Sequence, residues 1–213
     1  MPSYKTIAAG LTLLALGACT HGSQFDETGG IRITRSACPA VAVPTYTDTV
    51  TLFNPPQSRD ASAIDVVATI TDVRSNCAET TDQLVSTANF QVLARRANSQ
   101  GARDVTLPYF ATVVRGGTVV VAKRLGSVTL HFADGQLRTS ASATGSANVS
   151  RAAATLPAKV EERLTRKRKP GDPDATIDPM NDPAVRAAVS KASFELLLGF
   201  ELTNDQLAYN ATK

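Results

Sequence analysis

Three cysteines and two histidines are the residues of this chain best suited to chemistry, and their spacing limits what they can do. A thiolate is a nucleophile and a metal ligand, and an ordinary histidine exchanges a proton near neutral pH. Cys19, Cys38 and Cys77 are far apart, and no C-x-x-C occurs. A zinc site needs a tighter cluster of sulfur and imidazole ligands than this. His131 lies between Leu130 and Phe132 on the face opposite them, which reads as a surface residue of a strand. A Ser-His-Asp site would have to use it, because His21 falls in a polar segment that holds no fixed geometry. Glu161 and Glu162 are adjacent and do not face each other across a cleft. The nucleophile motif G-x-S-x-G, a glycine-rich phosphate loop, a H-E-x-x-H pair and an acidic calcium loop are all missing. Gly126-Ser127 and Gly145-Ser146 read as loop residues. No catalytic residue, metal ligand or cofactor is expected.

Cys19 has a different chemistry. The stretch before it holds a single Lys5, an apolar run from Ile7 to Leu16, and then small residues. A helical run of about ten residues spans about 15 Å, whereas a membrane span takes about 20 apolar residues. The pattern is that of a signal peptide over residues 1–18. Leu16-Gly17-Ala18-Cys19 looks like a bacterial lipobox, in which the Cys thiol becomes a diacylglyceryl thioether, the chain is cut before it and the new amine is acylated. Each buried acyl CH₂ contributes about 0.8 kcal/mol, so two or more chains anchor a protein stably without a spanning helix. An ordinary secretory signal with an incidental cysteine is the competing reading. Thr20 stands where inner-membrane lipoproteins commonly carry Asp, which by resemblance favours the outer membrane.

If Cys19 is acylated, Cys38 and Cys77 remain as one pair in an oxidising compartment. Their bridge closes a loop of about 40 residues, worth roughly 4 kcal/mol in the chain-entropy model.

The second chemical feature is charge. The whole chain has a formal net charge of +3. Residues 151–169 hold Arg151, Lys159, Arg163, Arg166, Lys167, Arg168 and Lys169 against Glu161 and Glu162 only. Cations near a membrane gain about 1 kcal/mol each at an anionic surface. Arg163, Arg166, Lys167, Arg168 and Lys169 are therefore the candidate contact to anionic lipid or lipopolysaccharide, with a solvated loop as the plain reading. No aromatic residues interleave with the charges, so nucleic acid is not expected as a partner. Asn148-Val149-Ser150 and Asn210-Ala211-Thr212 match glycosylation acceptors by chance.

The elements that must position these residues are mostly strands. Thr20 to Gly30 is a polar tether, so residues 19–30 form the lipidated cysteine and its linker. A single domain over residues 31–210 follows. Cys38 to Pro44 is a short strand between prolines, suited to an edge, and Thr47 to Phe53 continues it. Ile64 to Ile70 and Phe90 to Ala94 alternate with period two. Val105–Val114, a Gly116-Gly117 hairpin turn, Val119–Leu125 with Val128–Phe132, an Asp134-Gly135 turn and a strand from Leu137 to about Val149 make a meander. Residues 151–186 form a basic, Pro-rich insertion, with a short helix over Ala158 to Arg168 and another from Ala184 to Lys191 behind Asp182-Pro183. Phe194 to Leu202 is a buried strand. Thr203 and Gln206 have capping-box spacing ahead of a helical turn to Tyr209. The fold expected is mainly β: an antiparallel, immunoglobulin-like β-sandwich, or else a small β-barrel, with a short helical insertion near the C-terminus. The missing Trp departs from true immunoglobulin domains.

The lipobox at Cys19, the Cys38-Pro39-Ala40 start and the Gly199-Phe200-Glu201-Leu202-Thr203 to Asn210 end resemble envelope lipoproteins of Gram-negative, alphaproteobacterial type. The resemblance implies a place and no activity: lipid-anchored, on the periplasmic face of the outer membrane. The expectation is a non-enzymatic accessory or binding module of the cell envelope, with an envelope protein complex or an anionic lipid as its partner. An envelope hydrolase and a glycan-binding structural lipoprotein are the alternatives.

Overall fold

The computed structural model describes residues 36–166, 168 and 171–212. The signal segment, Cys19 and the tether lie outside the described residues, as do Lys167 and Lys169. Among the described residues eight strands run in chain order: β1 (Ala40–Ala42), β2 (Thr49–Phe53), β3 (Ile64–Glu79), β4 (Gln83–Arg96), β5 (Arg103–Arg115), β6 (Val119–Phe132), β7 (Arg138–Ser150) and β8 (Phe194–Phe200). Four α-helices accompany them among the described residues: α1 (Arg151–Ala154), α2 (Ala158–Thr165) and α3 (Pro183–Ala192) between β7 and β8, and α4 (Asn204–Thr212) after β8. The strands form two four-stranded sheets, β1-β8-β5-β6 and β2-β3-β4-β7. The β-sandwich expectation holds, with one addition: β1 runs parallel to β8, and the other pairs are antiparallel.

Period-two patterning fills the space between the sheets. On β8 it is Phe194, Leu196, Leu198 and Phe200 that point inward, and the last three are essentially inaccessible. They meet Leu107, Ala111 and Val113 of β5, Val128, Leu130 and Phe132 of β6, and the inward row of β4. Each fully buried Leu or Phe stabilises the fold by about 1.5–3 kcal/mol. This places β8, nearly last in sequence, in the interior of its sheet.

Four local expectations changed with the structure. Residues 49–53 do not extend the first strand; they form β2 in the opposite sheet. The corner between the two carries Tyr46 at φ 69°, and Thr47 accepts the Phe200 amide at its carbonyl. Gly126-Ser127 and Gly145-Ser146 are not loops but lie inside β6 and β7. Gly126 is there because Tyr109, its rung partner on β5, lies flat across it: an added Cβ would come within 2.5 Å of the ring. The Asp134-Gly135 turn does not close a hairpin. The Arg96 amide donates to the Leu137 carbonyl and β7 registers with β4, so the chain changes sheets at this turn. The final helix runs two turns, to Thr212. Its capping box is as the sequence predicts, with Thr203 N to Gln206 Oε1 at 2.9 Å and Gln206 N to Thr203 Oγ1 at 3.2 Å. Gly116 and Gly117 both take positive φ, 62° and 75°, as the tight hairpin requires.

Arg96 occupies the inward row of β4 with 4% exposure, a position where apolar residues stand elsewhere. Its guanidinium donates to the carbonyls of Ser99, Gly101, Ala133 and Gln136 at 2.6–2.8 Å and lies over the Phe132 ring. A buried cation survives here because four peptide dipoles replace water. It ties the 97–102 loop to the sheet-switching turn.

Candidate functional site

Cys38 and Cys77 form a disulfide with a Cα–Cα distance of 6.2 Å. Cys38 precedes β1 and Cys77 lies in β3, so the bridge joins the two sheets. The cross-link thus holds β1, only three residues long, at its edge position.

The basic insertion folds back on itself. Arg163 donates to Asp182 at 2.7 Å, Arg166 pairs with Asp174, and Arg168 reaches the Arg163 carbonyl at 3.4 Å. Arg151 bridges to Glu79 at 3.0 Å. Asp182 also caps α3, accepting from the Ala184 amide at 2.8 Å. The Arg163 hydrogen bond first, then the Ala184 amide, hold its carboxyl below the ordinary carboxylate value. Arg163 and Arg166 therefore face acidic residues at 172–182 of their own segment. Between α1 and α3 an open cleft of about 480 Å³ is lined mainly by alanines, among them Ala153, Ala184 and Ala188.

His131 stands on the outer face of β6, with its Nδ1 2.6 Å from Asp104 Oδ1 on the facing rung of β5. The side chain is 69% exposed. Thr106 and Thr129 pair at 3.0 Å on the same two strands. Among the described residues no group of three or more His, Cys, Asp or Glu side chains could hold a metal ion, and no helix is long and apolar enough to cross a membrane.

The feature that sequence reading did not single out is the edge formed by the first half of β6. The sandwich has four edge strands: β1, β2, β6 and β7. Three are blunted in ways that natural sheets use against stray pairing. β1 is short and lies between Pro39 and Pro44. β2 has α4 against it: Asn210 donates to the Tyr46 and Thr49 carbonyls at 2.8 and 2.6 Å, and Tyr209 packs edge-on against Phe53. The exposed positions of β7 are Ser, Thr, Asn and Arg. β6 is long, contains no proline, and shows solvent an unbroken run from Val119 to Leu125. Val120 is 62% and Leu125 66% exposed.

Beside this edge the two sheets part. Tyr109 crosses Gly126 and donates to the Thr144 carbonyl of β7 at 3.0 Å, which holds the seam at that rung. Outward from it lies a pocket of about 150 Å³ lined by Arg124, Leu125, Thr144 and Ser146. Lys123 is engaged with Glu201 at 2.9 Å and lies over Phe110. Arg115 and Arg124 form no ion pair among the described residues, and residues 115–132 contain no carboxylate. The signal was present in the run Val119-Val120-Val121, but the same run also fits a buried strand. Comparison of the chain with known protein families, curated proteins and solved structures finds no match in any of the three.

Proposed function

We propose that the protein is a lipoprotein of the Gram-negative outer membrane, anchored through acylated Cys19, whose β-sandwich serves in the periplasm as a non-enzymatic binding or accessory module of the envelope. The observation that carries this reading is the Cys38–Cys77 bridge. Cytosolic thiols are kept reduced, so a structural disulfide fits an exported domain. It also uses the two cysteines that remain when the third is committed to lipid. The surface adds to this. Arg163 and Arg166 of the insertion are engaged with its own carboxylates, and a strand edge is left open for a partner.

The test is metabolic labelling with a palmitate analogue in a Gram-negative host, followed by mild cross-linking of solubilised membranes. Label on the wild type, lost in Cys19→Ser, with a stoichiometric envelope protein recovered, is the expected result. A secreted, unlabelled product would overturn the anchor. Recovery at monomer mass would overturn the accessory role and turn attention to glycan or lipid.

A second reading, an envelope hydrolase, draws on the Asp104–His131 pair, since a carboxylate on Nδ1 leaves Nε2 as a base. It requires His131→Ala to abolish an ester- or glycan-cleaving activity of the purified protein.

A further inference from the structure

We propose that the free edge of β6, from Val119 to Leu125, receives an extended, acidic strand of another protein by β-augmentation. The inference deepens the binding-module reading and rests on it, but its assay needs neither lipid nor membrane and so can fail while the anchor stands.

Three observations converge on the edge. It is the one edge of the four that is long, apolar and uncovered among the described residues. An incoming strand would supply hydrogen-bond partners to a backbone that pairs on its other side only with β5. Rung partners across β5 then fix the chemistry of the two faces. Leu125 shares a rung with Phe110 and Lys123 with Thr112, so the outer face offers apolar surface beneath a lysine stem. Arg124 shares a rung with Ala111, and Arg115 stands at the hairpin end, both without a carboxylate partner among the described residues. An added strand that alternates apolar and acidic side chains places one set over Leu125 and the other toward Arg124.

Charge also selects the occupant. A second copy of this chain would bring another β5–β6 hairpin edge, whose Arg115 and Arg124 have no carboxylate partner among the described residues. Self-pairing therefore concentrates like charge, which costs specificity and on-rate, whereas an acidic strand neutralises it.

The experiment uses the full chain in detergent and an end-capped nine-residue peptide alternating valine and glutamate, followed by fluorescence anisotropy. The expected result is saturable, salt-sensitive binding. Arg124→Glu should weaken it about tenfold or more, and a valine–lysine peptide should bind that variant better than it binds the wild type. Backbone N-methylation of the peptide should abolish binding. Arg124 is exposed, so the variant keeps its fold, and circular dichroism checks this. Absence of saturable binding would overturn the proposal, as would equal affinity for the two peptides. A concentration-dependent dimer that is lost in Val120→Lys would overturn it in favour of a second copy.

Discussion

The basic insertion and the first half of β6 are both rich in cations and reach opposite states. Over residues 151–186 the chain follows a cationic helix with Asp172, Asp174, Asp178 and Asp182, and folding brings Arg163 and Arg166 onto two of them. At the β5–β6 hairpin a shorter basic stretch has no acidic continuation, and Arg115 at the end of β5 and Arg124 of β6 face solvent. Charge density along a sequence is thus a poor guide to surface potential. What matters is whether the fold returns the counter-charge. The insertion returns carboxylates to Arg163 and Arg166; Arg115 and Arg124 receive none among the described residues.

Both regions depend on the same sandwich, so the largest effect should come from loosening it. Arg96→Ala would strand four carbonyls and uncover Phe132. Loss of a buried, multiply bonded charged group costs about 3 kcal/mol or more. Denaturant unfolding should show this loss, and Arg96→Lys should recover only part of it, because a lysine cannot span four acceptors in that fork. Full recovery by lysine would mean that bulk, not hydrogen bonding, holds the turn.

A second change separates the regions. Asp182→Ala removes the α3 cap and the Arg163 partner together. Amide exchange should quicken over residues 183–192 and stay unchanged over 119–132. The same site sets a pH dependence. The folded pKa lies below the unfolded value of about 3.9, so the contribution is complete above that value and is lost as pH falls through the folded pKa. Exchange over α3 should therefore accelerate below about pH 4 in the wild type and be insensitive to pH there in Asp182→Ala, once the intrinsic rate is divided out.

A smaller stability effect sharpens the other side. Val120→Glu touches no core atom, so unfolding free energy should move by no more than about 0.5 kcal/mol, while binding of the acidic peptide falls. A large loss of stability would show that Val120 is a packing residue and the edge is not free.

The smallest effect expected is at the insertion surface. Replacing Arg163 and Arg166 by serine, in the domain without its lipid, should change binding to anionic vesicles by less than about threefold, because both already hold carboxylates. Two free cations at such a surface would contribute about 1 kcal/mol each, a far larger loss. A drop of about tenfold or more would return the insertion to the front as a lipid contact.

The features that could be read from sequence were local. Thr203 and Gln206 satisfy each other's backbone amides within one turn, Gly116-Gly117 needs only its own dihedrals, and Asp182-Pro183 caps the helix it precedes. The alternation of Phe194 to Phe200 announced a buried strand before its neighbours were known. What escaped the sequence was set by partners distant in the chain. Gly126 reads as a loop until Tyr109 is laid across it. Arg96 looks like the polar end of a strand until the 97–102 loop and the Ala133–Gln136 turn close around it. Asn210, which matches a glycosylation acceptor, is buried with its amide on the Tyr46 and Thr49 carbonyls, out of reach in the folded chain. Edge status is the extreme case: a run of valines looks the same in the middle of a sheet and at its margin, and only the strand order separates them.

The most direct measurement is an NMR titration of the isotope-labelled protein with the valine–glutamate peptide, following every backbone amide. The account predicts shifts and new exchange protection over residues 119–125, fading toward β5, with the amides of 151–168 unmoved. Shifts centred on Arg163, Arg166 and Arg168, with β6 unchanged, would contradict it and assign the acidic ligand to the insertion.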